Sequence, residues 1–240
     1  FLKAKGHKAR AIGLPICYVK EKKYARIKNS ILFFPSHSTF YVGSSNNNEH
    51  NLIYRDYIKK IMNDFQHYYV SVHADCLKRG MWINELKEIN VEIIRGSNTH
   101  DLNSLDRTYA LMNQFEYVTT NSIGSHIAYA AAFGSKVSIS GTMHKYSRAE
   151  FLKDPFYYEN QHIIDVYLSM HEEARKLYPF LFVDHPRKAK KHIDWGLEMI
   201  GMENKMSPGD LKKELKIDFF NTFLIQNIDL LKKIARKILK

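Results

Sequence analysis

Between residues 30 and 140, short apolar runs alternate with longer stretches in which apolar residues recur at helical spacing. "SILFFP" at 30–35 is rich in β-favouring residues and stops at a proline. After the polar loop "SHSTFYVGSSNNNEH", the residues Leu52, Ile53, Tyr57, Ile58, Ile61, Met62 and Phe65 trace one helical face. "HYYVSVHA" at 67–74 reads as strand and "CLKRGMWINELKEI" as a short helix. "VEIIRG" at 91–96 is strand, "DLNSLDRTYALMNQF" helix, "YVTT" strand, "SIGSHIAYAAAFG" helix and "KVSIS" strand. This order predicts βαβ units, right-handed crossovers and a parallel sheet flanked by helices, an α/β Rossmann-like fold. Beyond 150 the pattern is helical, broken by "YPFLFVDHP". A final stretch places Phe220, Phe223, Leu224, Ile228, Leu231, Ile234 and Ile238 on one face, with lysines and an arginine crowding its end. Such a helix either packs on the core or lies on a membrane surface.

In a parallel α/β sheet, ligands sit outside the carboxyl ends of the strands. Those ends are Ser36–Ser38, His73–Ala74, Arg95–Ser97, Asn121–Ser125 and Gly141–His144, and all are polar. The fourth has the most to offer. "YVTT" delivers the chain to Asn121, and a helix starts within a few residues. Asn121 or Ser122 can act as its N-cap, and Gly124 allows close approach of the backbone. Free helix-terminal amides favour phosphate, and Ser122, Ser125 and His126 add side-chain donors beside Ile123. Ala128 and Ala130–Ala132 allow close packing on the sheet. A packed strand–turn–helix without chemistry accounts for the cap and the alanines, but not for the whole polar cluster.

Composition narrows the field. At 240 residues, 45% apolar and 13% aromatic, the chain can bury a large core, and its longest apolar run is far short of a spanning helix. Cys17 and Cys76 are too few for a disulfide framework and read as reduced thiols in a cytoplasmic protein. The net charge of +11 is unevenly spread: residues 1–28 carry +8, residues 207–240 carry +4 and the body carries −1. A nucleic-acid binder usually has a basic stripe on its folded body. Basic ends on a neutral body suit an anionic surface, such as the inner membrane leaflet, better than nucleic acid.

"TNSIGSHIAYAAAFGSKVSISG", preceded by "FFPSHS" and "IIRG", resembles the C-terminal nucleotide-sugar-binding half of GT-B glycosyltransferases. The nearest likeness is to those of bacterial capsule and lipopolysaccharide biosynthesis. "GHKARAIGLPICYV" resembles the segment entering that half, and "HIDWGLEMIGMENKMSPGDLKKEL" its closing segment. The resemblance implies a connecting segment over 1–28, a nucleotide-sugar-binding domain over 29–206 and C-terminal helices over 207–240. It also implies that the chain, which opens on Phe1, is a piece of a longer protein whose N-terminal half supplies the acceptor site and catalytic base.

By the same resemblance, the turn at Asn121–Ser125 holds donor phosphates, and the loop Ser36–Ser38 places His37 near the leaving group. His73 and Arg95 are further candidates for nucleotide contact. The donor is a UDP- or CMP-sugar, although "SHS" stands where CMP-using sialyltransferases have His-Pro. The acceptor is a saccharide or a lipid-linked one. Leaving-phosphate charge can be stabilised by helix amides and a His without a metal. No Asp-x-Asp or metal-ligand spacing is present, and no cofactor is expected. Two other readings stay open: a non-catalytic nucleotide-binding module in capsule assembly, and a nucleotide-sugar epimerase. An epimerase needs paired carboxylates near the strand ends, and only Asp75 and Asp101 lie close.

Overall fold

The computed structural model describes residues 6, 8–36, 49–98, 101–143 and 146–215. His37, Ser38, His144 and the final amphipathic stretch with Phe220 lie outside the described residues.

Five strands form one all-parallel sheet: β1 Ile27–Phe34, β2 His67–Val72, β3 Glu92–Arg95, β4 Phe115–Thr120 and β5 Lys136–Ile139. Their spatial order is β3-β2-β1-β4-β5. The central strand β1 is covered on both faces, which is why "SILFF" is apolar without alternation. Ile31 and Phe33 face one core cluster, Leu32 the other. This is the Rossmann-like sheet that the sequence pattern predicts.

The first crossover is α1, Glu49–Met62. Its buried residues are Tyr54, Ile58, Ile61 and Met62, whereas Leu52 and Ile53 are 37% and 39% exposed. The centre of the stripe is therefore Tyr54, fully buried and not among the residues expected from spacing. The single helix expected over 76–89 is two, α2 Ala74–Lys78 and α3 Ile83–Glu88. Between them Trp82 takes φ +70° and is 1% exposed, edge-on to Tyr54 at 6.3 Å. A left-handed backbone costs roughly 1–3 kcal/mol, and burying a whole indole offsets it.

The remaining helices of the sheet are α4, Ser104–Gln114, and α5, Ser125–Ala132. Five follow after β5: α6 Arg148–Phe151, α7 Pro155–Glu159, α8 Gln161–Leu177, α9 Ile193–Met199 and α10 Pro208–Glu214. The interruption "YPFLFVDHP" brings the chain back to β5, where Ile139 pairs with Phe182 and Lys136 with Lys191. These bridges cover an edge strand that would otherwise be open.

The alanines of α5 serve two surfaces. Ala130 and Ala131 face the sheet, whereas Ala128 and Ala132 face Ile16, Cys17 and Ile200. Gly196 of α9 lies so close that a Cβ there would stand 2.2 Å from Ala132 N. The segment before β1 joins the same layer: Leu14 N–H donates to Ile200 O at 2.8 Å. Cys17 and Cys76 are buried free thiols, and burial pushes the Cys17 thiol up. Among the described residues no helix is long and apolar enough to cross a membrane.

At the amino end of the sheet, β1 is irregular where Asn29 takes φ +52°. Glu116 holds this bulge by accepting from Asn29 N–H at 2.7 Å and from Lys136 Nζ at 3.0 Å. Burial alone would raise the Glu116 carboxyl, but the Lys136 and Asn29 donors outweigh it and hold the group below its usual range. A depressed carboxylate stabilises the fold above its unfolded pKa, near 4, and that stability is lost as pH falls through the folded value. Glu116→Gln is expected to lower the melting temperature at pH 7 by about 2–4 °C, from roughly 1 kcal/mol. The gap to the parent should close below about pH 4. Thermal melts across pH 3–8 check both the size and the closing.

Candidate functional site

In the order β3-β2-β1-β4-β5, chain direction of growth reverses between β1 and β4. The crevice at that reversal, outside the carboxyl ends, is where such sheets take ligands. Two chain segments meet there: Pro35–Ser36 leaving β1 and Asn121–Ser125 leaving β4.

Asn121 is 2% exposed. Its Oδ1 accepts from Ser36 N–H at 2.8 Å, and its Nδ2 donates to Thr142 O at 3.2 Å. One amide thus ties the ends of β1, β4 and β5 across the crevice. It is not the helix N-cap expected from the sequence, because its side chain is spent on the strand ends. Ser122 does not cap either: its N–H donates to Thr120 Oγ1 at 3.2 Å, and its hydroxyl lies 3.4 Å from the same oxygen. The N-cap of α5 is Gly124, with no side-chain cap bond. The N-cap residue of α5 thus lays no side chain of its own on the first-turn amides, an arrangement that suits an external anion.

Gly124 is extended, with φ −175°, so its conformation does not require glycine. Space does. A Cβ would meet His126 Nδ1 at 2.8 Å and Cε1 at 2.9 Å, because that ring folds back over the turn. His126 is held there by stacking on Phe34, the last residue of β1, with ring centres 5.3 Å apart and planes at 24°. Ser125 is exposed and Ile123 half-buried at the same turn. The structure thus assembles Ser36, Asn121, Ser122, Ile123, Gly124, Ser125 and His126 at the strand reversal.

It does not bring the other two described candidates to the turn. Arg95 ends the edge strand β3, three strand spacings from β4, or about 14 Å. His73 follows β2, two spacings from β4, about 10 Å. There His73 is the N-cap of α2, accepting from Asp75 N–H at 3.3 Å. A shared sheet edge is broader than one phosphate site, and the linear sequence does not reveal which ends are neighbours. His37 and Ser38 lie outside the described residues.

Several contributors were not anticipated. Beneath the crevice Tyr57 O–H donates to Ser140 Oγ at 2.8 Å, Ser140 meets Thr119 Oγ1 at 2.7 Å, and Ser138 donates to Thr119 at 2.9 Å. Burial raises the Tyr57 phenol, so it remains a donor at neutral pH. This hydroxyl row joins α1 to the carboxyl ends of β4 and β5 and stiffens the floor. Its signal in the sequence is Thr119 in "VTT" and the serines at alternate positions of "VSIS". Phe34 was read as a strand residue, and nothing in its spacing marks it as the seat of His126.

The described residues hold no group of three or more His, Cys, Asp or Glu side chains arranged to bind a metal ion. No protein-family model, curated protein or solved structure matches the chain.

Proposed function

We propose that this domain binds the nucleotide-sugar donor of a glycosyl transfer, in a GT-B-type glycosyltransferase that builds a surface polysaccharide or lipopolysaccharide. The observation that carries the proposal is the α5 amino end, whose N-cap Gly124 lays no side chain on the first-turn amides, standing at the strand reversal beside Ser36. Phosphate oxygens are suited to the Ser125 and His126 amides, with the α5 dipole behind them. The resemblance of "TNSIGSH" and "FFPSHS" to GT-B donor sites supplies the reaction class. On this reading the departing phosphate gains negative charge as the glycosidic carbon leaves it, and fixed amides need no reorganisation to meet that charge.

A thermal-shift comparison of nucleotides and UDP- and CMP-sugars tests donor binding. Gly124→Val should weaken nucleotide affinity at least 10-fold with little change in melting temperature. The added side chain drives His126 off Phe34 and covers the amides, while the core beneath is untouched. Equal loss of affinity and stability would make the turn a packing element.

His37 is the next residue in the chain after Ser36, whose N–H donates to Asn121 Oδ1. We assign it to leaving-group protonation or hydrogen bonding. In the full-length enzyme His37→Ala should lower kcat at least 10-fold and change KM for the donor little. An unchanged kcat removes the role. Nucleotide binding without any donor turnover in the full-length protein would instead favour a non-catalytic binding module.

A further inference from the structure

A cavity adjoins the turn and shares Ile123, Gly124 and Ser125 with it, but most of its lining lies beyond the residues proposed for the donor. It has a volume of about 290 Å³, is partly open to solvent and reaches from Ile123–Ser125 between α5, α8 and α9. Ile127 and Ala128 of α5, Ala174 of α8, Leu181 and Met199 form its walls. Among the described residues no charged side chain lines it, and only Ser125, Tyr178 and Trp195 bring a side-chain polar atom. The Tyr178 hydroxyl is turned onto Met199 Sδ at 3.6 Å. The Trp195 indole N–H is covered by protein and has no hydrogen-bond partner among the described residues. The chamber therefore presents hydrocarbon throughout, with its one open hydroxyl, Ser125, at the end next to the turn.

That chemistry selects among occupants. A nucleobase carries several donors and acceptors on its edge and would leave them unpaired in such walls, at a cost no contact here repays. An apolar cavity of about 150 Å³ already holds benzene. A chamber nearly twice that size suits a chain of several methylene or isoprene carbons. We propose that this chamber binds the hydrocarbon chain of a lipid, several methylene or isoprene carbons long, with the polar end of that lipid emerging at Ser125 beside the turn.

The test uses the protein's own tryptophans. Trp82 is 1% exposed in the opposite core cluster, so Trp195 is the one that reports on the chamber. n-Octyl β-D-glucoside, kept below its micelle threshold, should shift tryptophan emission saturably, and methyl β-D-glucoside at equal concentration should not. Affinity should rise from hexyl to octyl and then level off as the chamber fills. Ala174→Phe, which occupies the chamber, should weaken octyl glucoside binding at least 10-fold. Equal responses to the methyl and octyl glucosides, or no response, would overturn the proposal. So would unchanged octyl binding in an Ala174→Phe protein of normal melting temperature. Thermal shifts with UDP and CMP on the same sample report on the donor separately. Octyl binding without nucleotide binding keeps the chamber and removes the donor reading; the reverse removes the chamber alone.

Discussion

Gly196→Val should lower the melting temperature by about 6–12 °C, from roughly 3 kcal/mol at 2–4 °C per kcal/mol for a chain of this size. The Cβ that any other residue adds would lie 2.2 Å from Ala132 N and 2.7 Å from Ala131 C and Ala132 Cα. All three are backbone atoms in a helix, so no rotamer change makes room. α9 must lift off α5, and Ile200, fully buried beneath it, loses its seat among Ile16, Cys17, Ala128 and Ala132. Gly196→Ala should already show most of the loss. Gly209→Ala is the control: its Cβ meets nothing closer than Ser207 Oγ at 3.9 Å, within α10. That change should be neutral or stabilising by up to about 1 kcal/mol through lost backbone freedom in the unfolded chain. Thermal melts of the three proteins decide, and a stable Gly196→Val protein would mean that α9 does not cross α5 as described.

Asn121→Leu is expected to cost both stability and ligand binding. It leaves the Ser36 N–H and the Thr142 carbonyl without their partners in a site where Asn121 is 2% exposed. An unsatisfied buried group costs about 1–3 kcal/mol. The crevice should also lose its spacing, because the Asn121 amide ties the ends of β1, β4 and β5. Nucleotide affinity should fall at least 10-fold. Asn121→Asp separates the two effects. Its carboxylate still accepts from Ser36 N–H, but it repels the Thr142 carbonyl and any phosphate at the neighbouring amides. At pH 7 Asn121→Asp should therefore lose more affinity, relative to stability, than Asn121→Leu. Calorimetric titration with UDP and CMP, paired with thermal melts, measures both. Normal affinity in either variant would separate the crevice from binding.

The sheet was legible because each strand is a short apolar run bounded by polar loops, and "SILFF" without alternation already marks a strand covered on both faces. The existence of a polar turn after β4 was legible for the same reason. What Asn121 does there was not. An Asn before a helix reads as a cap from local spacing, yet its amide is claimed by Ser36 and Thr142, 85 and 21 residues away in sequence. The break at Trp82 follows from burial against Tyr54, which helix propensity does not encode. Gly196 and Ala132 are 64 positions apart, and only their packing shows why "WG" and the alanine run need each other. The spread of His73 and Arg95 away from the turn depends on strand order, which a linear β-α pattern does not specify.

The central claim is that a nucleotide phosphate sits on the α5 amino end at the reversal between β1 and β4. Amide chemical-shift mapping of the ¹⁵N-labelled protein, titrated with UDP and with CMP, tests it most directly. The account predicts saturable shifts that are largest at Ser36, Gly124, Ser125 and His126, the segments joined through Asn121. Residues at the far edge, around Arg95, should respond weakly. Shifts centred on another part of the molecule, or no saturable shift with either nucleotide, would contradict it.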